Sequence, residues 1–299
     1  MENLSEKTKG ELFLFSSVIF WAILPVAIVL SYSQVSGFVS LFWSVVFAML
    51  FFSILTFYKK SFHYLKNKIF WKYSFYIAFL NGFIFYAFFF LGLEKTSPGN
   101  VALIGSLEVL TSFLFFNVFK GEHISLEHKA GALLMLLGAF IILSKNFTTF
   151  NLGDFFILIA VCVGPLGNYF QQKVRKIASA ETLLLGRNII SIPLVMVLII
   201  IFNKSIFFTP DTRTILLLIF NGVLIFGVSR IFWIEAIHRI SVTKAISLGS
   251  VSPLFTMFFA WILLNQAPTI LQISSFIPLF IGILLLTDNL KLKTYTPLH

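Results

Sequence analysis

The chain is 299 residues long, 58% hydrophobic and only 11% charged, with a mean hydropathy of +0.95. A water-soluble domain carries roughly 25% charged residues, so this composition excludes a soluble globular protein of that size. The net charge of +10 could suggest nucleic acid, but the cations sit in short loops between apolar runs, where they orient a chain in a bilayer.

Ten apolar segments follow one another, at 11–31, 36–58, 73–93, 99–119, 130–143, 154–172, 181–202, 215–237, 242–264 and 270–287. The fifth is short and is expected to extend toward His128. A helix needs about 20 apolar residues to cross about 30 Å of hydrocarbon. The runs lack the period-2 alternation of barrel strands, so only helices can satisfy the backbone within the bilayer. Residues 1–10 are short and polar. The run after them is too long for a signal-peptide core and has no small-residue cleavage site, so it reads as a retained first helix. Hydrophilic stretches stay under about fifteen residues, and no soluble catalytic domain is expected. The one cysteine, Cys162, lies inside an apolar run, which leaves no intramolecular disulfide and no cysteine metal cluster. The 39 phenylalanines read as lipid-facing and packing surface and do not by themselves imply an aromatic substrate.

Of the 22 Lys and Arg, fifteen fall on the side of the first terminus and four on the other. That asymmetry places both termini in the cytoplasm. The chain also repeats itself. Gly10-Glu11-Leu12-Phe13 matches Gly153-Asp154-Phe155-Phe156 at an offset of 143. At an offset of 144, Thr96-Ser97 aligns with Ile240-Ser241, Gly121-Glu122 with Asn265-Gln266, and Gly138 with Gly282. Asn81-Gly82 resembles Asn221-Gly222 with a four-residue gap. The expected fold is an all-α membrane protein of ten transmembrane helices in two five-helix repeats, at 1–146 and 147–299. An odd number of helices per half makes the second half enter from the opposite face, giving inverted repeats. That is a recurring transporter design, in which rocking one half against the other opens a central site to each side in turn. Duplication into a stable bundle without such motion is the alternative.

At these positions the chain resembles the drug/metabolite transporter superfamily, in its ten-helix EamA-like branch. The carriers are Gly10-Glu11 and Gly153-Asp154, Leu93-Glu94-Lys95-Thr96-Ser97, Lys120-Gly121-Glu122, and Gly131-Ala132-Leu133-Leu134 with Gly138. The second half carries Ala236-Ile237-His238-Arg239-Ile240-Ser241 and Ser252-Pro253-Leu254. These motifs mark the fold rather than the substrate. Members of the family export amino acids, take up or exchange metabolites, or move drugs and nucleotide sugars. The resemblance implies a central cavity lined by helices 1, 3, 4, 6, 8 and 9, with helices 5 and 10 peripheral. Two departures stand out. Gly121-Glu122 becomes Asn265-Gln266 in the second half, and Pro253 is matched by Val109, directly after Glu108. The second departure marks Glu108 as a residue specific to this subgroup's substrate or coupling ion.

Glu108 is the leading site candidate. A charge in mid-helix costs roughly 3 kcal/mol or more, and its neighbours Ala102, Gly105 and Ser112 form a small, partly polar face. It could accept a proton, bind a cationic group, or form a fixed salt bridge with Arg187 or Arg230. Arg230 and Trp233 share a face of the eighth helix. Arg230 could hold a carboxylate or phosphate through its planar fork or snorkel to headgroups. For Arg187, beside Asn188, snorkelling or an interhelical pair is expected. Lys244 with Ser247 could meet an anion or face headgroups, and Glu235 is expected to cluster with Arg239. Asn81, Asn168, Gln171 and Asn221 could line a cavity or bond a neighbouring helix. Trp21 and Pro25 in the first helix match Gly164-Pro165-Leu166-Gly167 in the sixth, and paired irregularities of this kind point to a binding site.

His123 and His128 are five apart, whereas zinc-binding helices use i, i+4, so Glu122–His128 reads as a structural loop with Ser125 capping the fifth helix. No phosphate loop, dinucleotide fingerprint or nucleophile elbow is present. No cofactor and no enzymatic activity are expected. The expectation is a secondary transporter of a small metabolite such as an amino acid, with export favoured by family analogy. Glu108 would be the proton or substrate-cation site, and Arg230, Asn81, Asn168, Trp21 and Trp233 would shape the cavity. The expected partners are the bilayer, a small solute, protons and, as an open option, a second copy in a homodimer. The expected location is a bacterial cytoplasmic (inner) membrane. A non-transporting partner or receptor on the same fold is the alternative.

Overall fold

The computed structural model describes residues 5–118, 125–144, 151–202, 204–206, 209, 211–240, 245, 248–287 and 289–290. These fold into helices joined by short turns and contain no strand. Eight helices are long and apolar enough to cross a bilayer: α1 Glu6–Ser31, α2 Gly37–Tyr58, α3 Lys68–Leu93, α4 Pro98–Asn117, α5 Leu126–Leu143, α6 Leu152–Arg175, α7 Ala180–Ile201 and α8 Thr212–Arg239. Two shorter apolar helices follow, α9 Ser252–Leu264 and α10 Ile270–Leu286. The chain is a multi-pass integral membrane protein.

Polar caps set the starts. Ser5, Asn67, Ser97, Asn151, Asp211 and Thr269 each accept a backbone N–H of the first turn, which satisfies a donor that the helix leaves unpaired. The Asp211 carboxyl is held below its usual range by the Thr214 hydroxyl and amide. Asn67 explains why α3 begins at Lys68 rather than near residue 73. Ser125 Oγ likewise accepts the His128 N–H at 3.3 Å and starts the fifth helix at Leu126, in line with the expected extension toward His128. His123 lies outside the described residues.

Several helices depart from regular α geometry, and the departures recur in both halves. α3 widens to a π-helix over Ala78–Phe85, and α8 over Phe220–Ser229. The residues that resume α geometry, Tyr86 and Arg230, are 144 apart. α4 breaks at Ser106–Leu107, where Ser106 Oγ donates to the Leu103 carbonyl at 2.6 Å, a back-bond that bends helices. The chain also turns at Ser250–Val251, again 144 residues on, just before Pro253 in the first turn of α9. Proline fits there because first-turn amides need no partner. The ninth segment is therefore not one continuous helix from 242. Residues 241–244 and 246–247 lie outside the described residues.

Packing between the halves is reciprocal. A Cβ on Gly10 of α1 would lie 3.0 Å from Arg239 Cβ and 2.9 Å from the Ile240 side chain. A Cβ on Gly153 of α6 would lie 2.9 Å from Lys95 Cβ. Each helix-opening glycine thus seats its helix against the end of the third helix of the other half. α2 runs antiparallel to α7, with Phe38 beside Phe202 at 5.1 Å between ring centroids and Lys59 Nζ 3.3 Å from Glu181 Oε2 at the other end. α5 runs antiparallel to α10. A Cβ on Gly131 would sit 2.8 Å from the Gly282 carbonyl oxygen, and one on Gly138 2.9 Å from that of Ser275. Small residues at such crossings let backbones touch.

At the end of the bundle where α1 begins, Glu235 pairs with Arg175 at 2.9 Å and with Arg239, and Arg239 reaches Glu6 at 3.1 Å. The expected Glu235–Arg239 cluster forms, enlarged by α1 and α6.

Candidate functional site

A cavity of about 180 Å³ lies in the middle of the bundle. Residues of α1, α3, α4, α6, α8, and α9 with the turn before it, line most of it; α7 adds Arg187 and α10 adds Ile283. A single water needs roughly 10–15 Å³ on the same measure, so a small solute has room. The wall mixes aromatic rings, hydroxyls and carboxamides with three charged side chains.

Glu108 opens the second stretch of α4, directly after the break. Its Oε1 accepts from Asn168 Nδ2 of α6 at 2.9 Å. Asn168 Oδ1 in turn accepts from Asn81 Nδ2 of α3 at 3.3 Å and from Gln171 Nε2 at 3.1 Å. The network therefore joins α3, α4 and α6. Glycines in α6 make room for it: a Cβ on Gly164 would stand 2.6 Å from Glu108 Oε1, and one on Gly167 would overlap the Asn81 carboxamide. The Gly164-Pro165-Leu166-Gly167 irregularity is thus where two of the candidate side chains arrive. Asn81 Oδ1 and Gln171 Oε1 are buried without a hydrogen-bond partner.

Elsewhere on the cavity wall, Arg230 Nη2 donates to the Tyr86 hydroxyl. The guanidinium lies 4.1 Å from the Trp21 ring centroid and 5.6 Å from that of Tyr86. Both contacts are of the cation–π kind. Arg230 therefore turns inward to the cavity rather than snorkelling. Trp233, one turn further along α8, lines the same space, and Trp21 packs on Phe89 with centroids 6.1 Å apart. Tyr86 and Arg230 hold equivalent places in the two halves, so the contact between them lies across the repeat.

All six residues singled out from the sequence, Glu108, Arg230, Asn81, Asn168, Trp21 and Trp233, face this one cavity. The fixed salt bridge considered for Glu108 is not formed: among the described residues, no cation lies within ion-pair distance of its carboxylate. Of the two readings of Arg187, snorkelling fails: Arg187 is only 2% exposed and binds Asn188 Oδ1 of its own helix through Nε at 3.0 Å and Nη2 at 2.9 Å. Across the helix boundary it meets the Tyr86 hydroxyl of α3 rather than a carboxylate. Asn221 is fully buried and does not reach the cavity. Lys244 and Ser247 lie outside the described residues. Tyr86, which the sequence did not distinguish from its aromatic neighbours, is the added member. Among the described residues no group of His, Cys, Asp and Glu could hold a metal ion.

A membrane-embedded helical bundle around a central charged cavity has the build of proteins that move solutes. The family comparison agrees. Two stretches, residues 8–144 and 151–288, match the model of the EamA-like transporter family, and the chain belongs to that family, within the drug/metabolite transporter superfamily. The two matches make it an internal duplication, and the family is one of transporters rather than enzymes. A WAT1-related chloroplastic protein of Arabidopsis thaliana is 24% identical over 212 residues, covering 66% of this chain. The chain spans about half the length of that curated relative. A solved crystal structure superposes with a TM-score of 0.72 at 17% identity, covering 95% of this chain and 98% of the other. That likeness bears on the fold alone.

Proposed function

We propose that the protein is a secondary transporter that carries a small polar or amphipathic metabolite, such as an amino acid, by alternating access. All ten helices cross the membrane as two inverted five-helix repeats, 1–146 and 147–299, with both termini in the cytoplasm. The antiparallel pairing of equivalent helices, α2 with α7 and α5 with α10, supports inversion, and the breaks repeated 144 residues apart and the reciprocal seats of Gly10 and Gly153 support the repeat itself. The observation that carries the transport reading is that a carboxylate and a guanidinium, Glu108 and Arg230, face one mid-bundle cavity without pairing. Opposite charges left apart at this depth are costly and are useful to a polar solute that passes between them.

Glu108 is the site of the coupling proton or of the substrate's cationic group. Asn168, itself held by Asn81, keeps its carboxylate in place, and Trp21, Trp233 and Arg230 shape the rest of the wall. The direction is export across a bacterial inner membrane, a reading that rests on family analogy. Purified protein in liposomes loaded with a mixture of radiolabelled amino acids tests the core of this reading. Release faster than from protein-free liposomes is expected. Equal release would contradict it and leave a partner or receptor role on a transporter fold.

A further inference from the structure

Arg187 and Arg230 present an electrostatic problem that the protein itself does not solve. Arg187 sits at 2% exposure in α7, and Arg230 comes from α8. Both line the cavity, and both face the Tyr86 hydroxyl. They are close enough to repel one another. Neither has a carboxylate within ion-pair distance among the described residues. Arg187 spends Nε and Nη2 on a single amide oxygen, Asn188 Oδ1. Arg230 Nε is buried without a partner. A guanidinium carries five N–H donors in a rigid fork suited to planar oxyanions. A buried Arg187 and a partly buried Arg230 with an idle donor, each beside a like charge, are retained at a cost, which an arriving anion would offset.

We infer that Arg187, Arg230 and the Tyr86 hydroxyl form a subsite for the carboxylate of the transported solute. The inference rests on the transport reading above and narrows its substrate class to carboxylate-bearing solutes. The charge count favours a carboxylate over a phosphate dianion. Glu108 lies within electrostatic reach of Arg230, and with it ionised the three charged groups sum to +1, which one carboxylate neutralises. A dianion would add repulsion from Glu108. The rest of the wall then faces the solute's remaining part: Trp21 and Trp233 meet apolar carbon, and Glu108 meets an amine where one is present.

The test compares three probes that share one branched carbon skeleton on full-length detergent-purified protein, by ligand-dependent thermal shift. These are L-leucine, 4-methylpentanoate, which lacks the amine, and 3-methylbutylamine, which lacks the carboxylate. The two carboxylates should raise the melting temperature and the amine should not. In Arg230→Gln and in Arg187→Gln the concentration of 4-methylpentanoate giving a half-maximal shift should rise roughly tenfold or more, the loss expected on removing a charge-assisted contact. The amine should gain affinity as the site loses positive charge. Arg187→Lys and Arg230→Lys keep the charge without the fork and should fall between, which also covers a Gln variant that does not fold. A role in folding alone would lower the starting melting temperature without changing the order of acid and amine. Preference for the amine, no response to either carboxylate, or an acid-to-amine ratio unmoved by all four variants would overturn the subsite. Release of labelled amino acids from liposomes is scored separately, so loss of the subsite alone is distinguishable from loss of transport.

Discussion

Glu108→Gln is expected to remove the response of transport to an imposed pH gradient, cutting gradient-driven flux by roughly an order of magnitude or more while leaving the protein folded. The substitution keeps the shape and an acceptor oxygen. Asn168 Nδ2, 2.9 Å away in the wild type, can still donate to it, so the chain of carboxamides from α4 through α6 to α3 survives. What disappears is the ability to bind and release a proton. A carboxylate at this depth costs roughly 3 kcal/mol or more, and no cation among the described residues pairs with it, so its ionisation follows what else occupies the cavity. A solute ammonium or a proton can each neutralise it, and in the proposed mechanism competition between the two would couple one to the other. Flux in liposomes with the inside made acidic or alkaline measures this. If Glu108→Gln responds to the gradient as the wild type does, Glu108 is not the coupling site.

Gly282→Leu should loosen the fold far more than its position in a peripheral helix suggests. α5 and α10 meet backbone to backbone, and a Cβ at 282 would lie 2.7 Å from the Gly131 carbonyl oxygen and 2.7 Å from Met135 Cγ. No rotamer escapes this, because the clash begins at Cβ. Overpacking of that kind costs about 1–3 kcal/mol or more, and here the two backbones must separate along the length of the contact. Gly105→Ala is the control: a Cβ there meets nothing within 4 Å, and alanine is the better helix former. Thermal unfolding in detergent should show a clear drop for Gly282→Leu and none for Gly105→Ala. Equal melting temperatures for the two variants would mean that the α5–α10 contact contributes little.

The spans were legible because lipid imposes a simple code of apolar runs of about 20 residues separated by charged loops. Boundaries went astray where that code and helix formation part company. Lys68–Lys72 is too polar to read as a span, but Asn67 caps it into α3 all the same. The breaks in α4 and before α9 were hidden because Ser106–Leu107 and Ser250–Val251 sit inside apolar runs, and hydropathy does not register a rise or twist of the backbone. The π stretches were hidden for the same reason, although the changing offset around Asn81-Gly82 and Asn221-Gly222 marks where the third and eighth helices differ in length.

Within the site, Glu108 was legible because a lone carboxylate in an apolar run has few uses. Arg230 and Trp233 were legible through their shared face. Arg187 was not. It lies about two turns into α7, a place from which an arginine ordinarily reaches the headgroups. Its inward turn depends on Asn188 and Tyr86, one adjacent and one a hundred residues away, and only the folded arrangement brings the second of these beside it. Tyr86 was invisible for a related reason: nothing local separates it from the phenylalanines around it, and its role comes from standing opposite Arg230 across the repeat.

The central claim is that the mid-bundle cavity is wet and reachable from each side of the membrane in turn. Cys162 is the chain's one cysteine and lies on the exterior, so Cys162→Ala gives a clean background for Ser106→Cys, whose side chain lines the cavity at the break in α4. A membrane-impermeant thiol reagent, applied to right-side-out and to inside-out vesicles, should label this cysteine from both faces. Labelling from neither face would mean a dry, closed centre and would contradict the account.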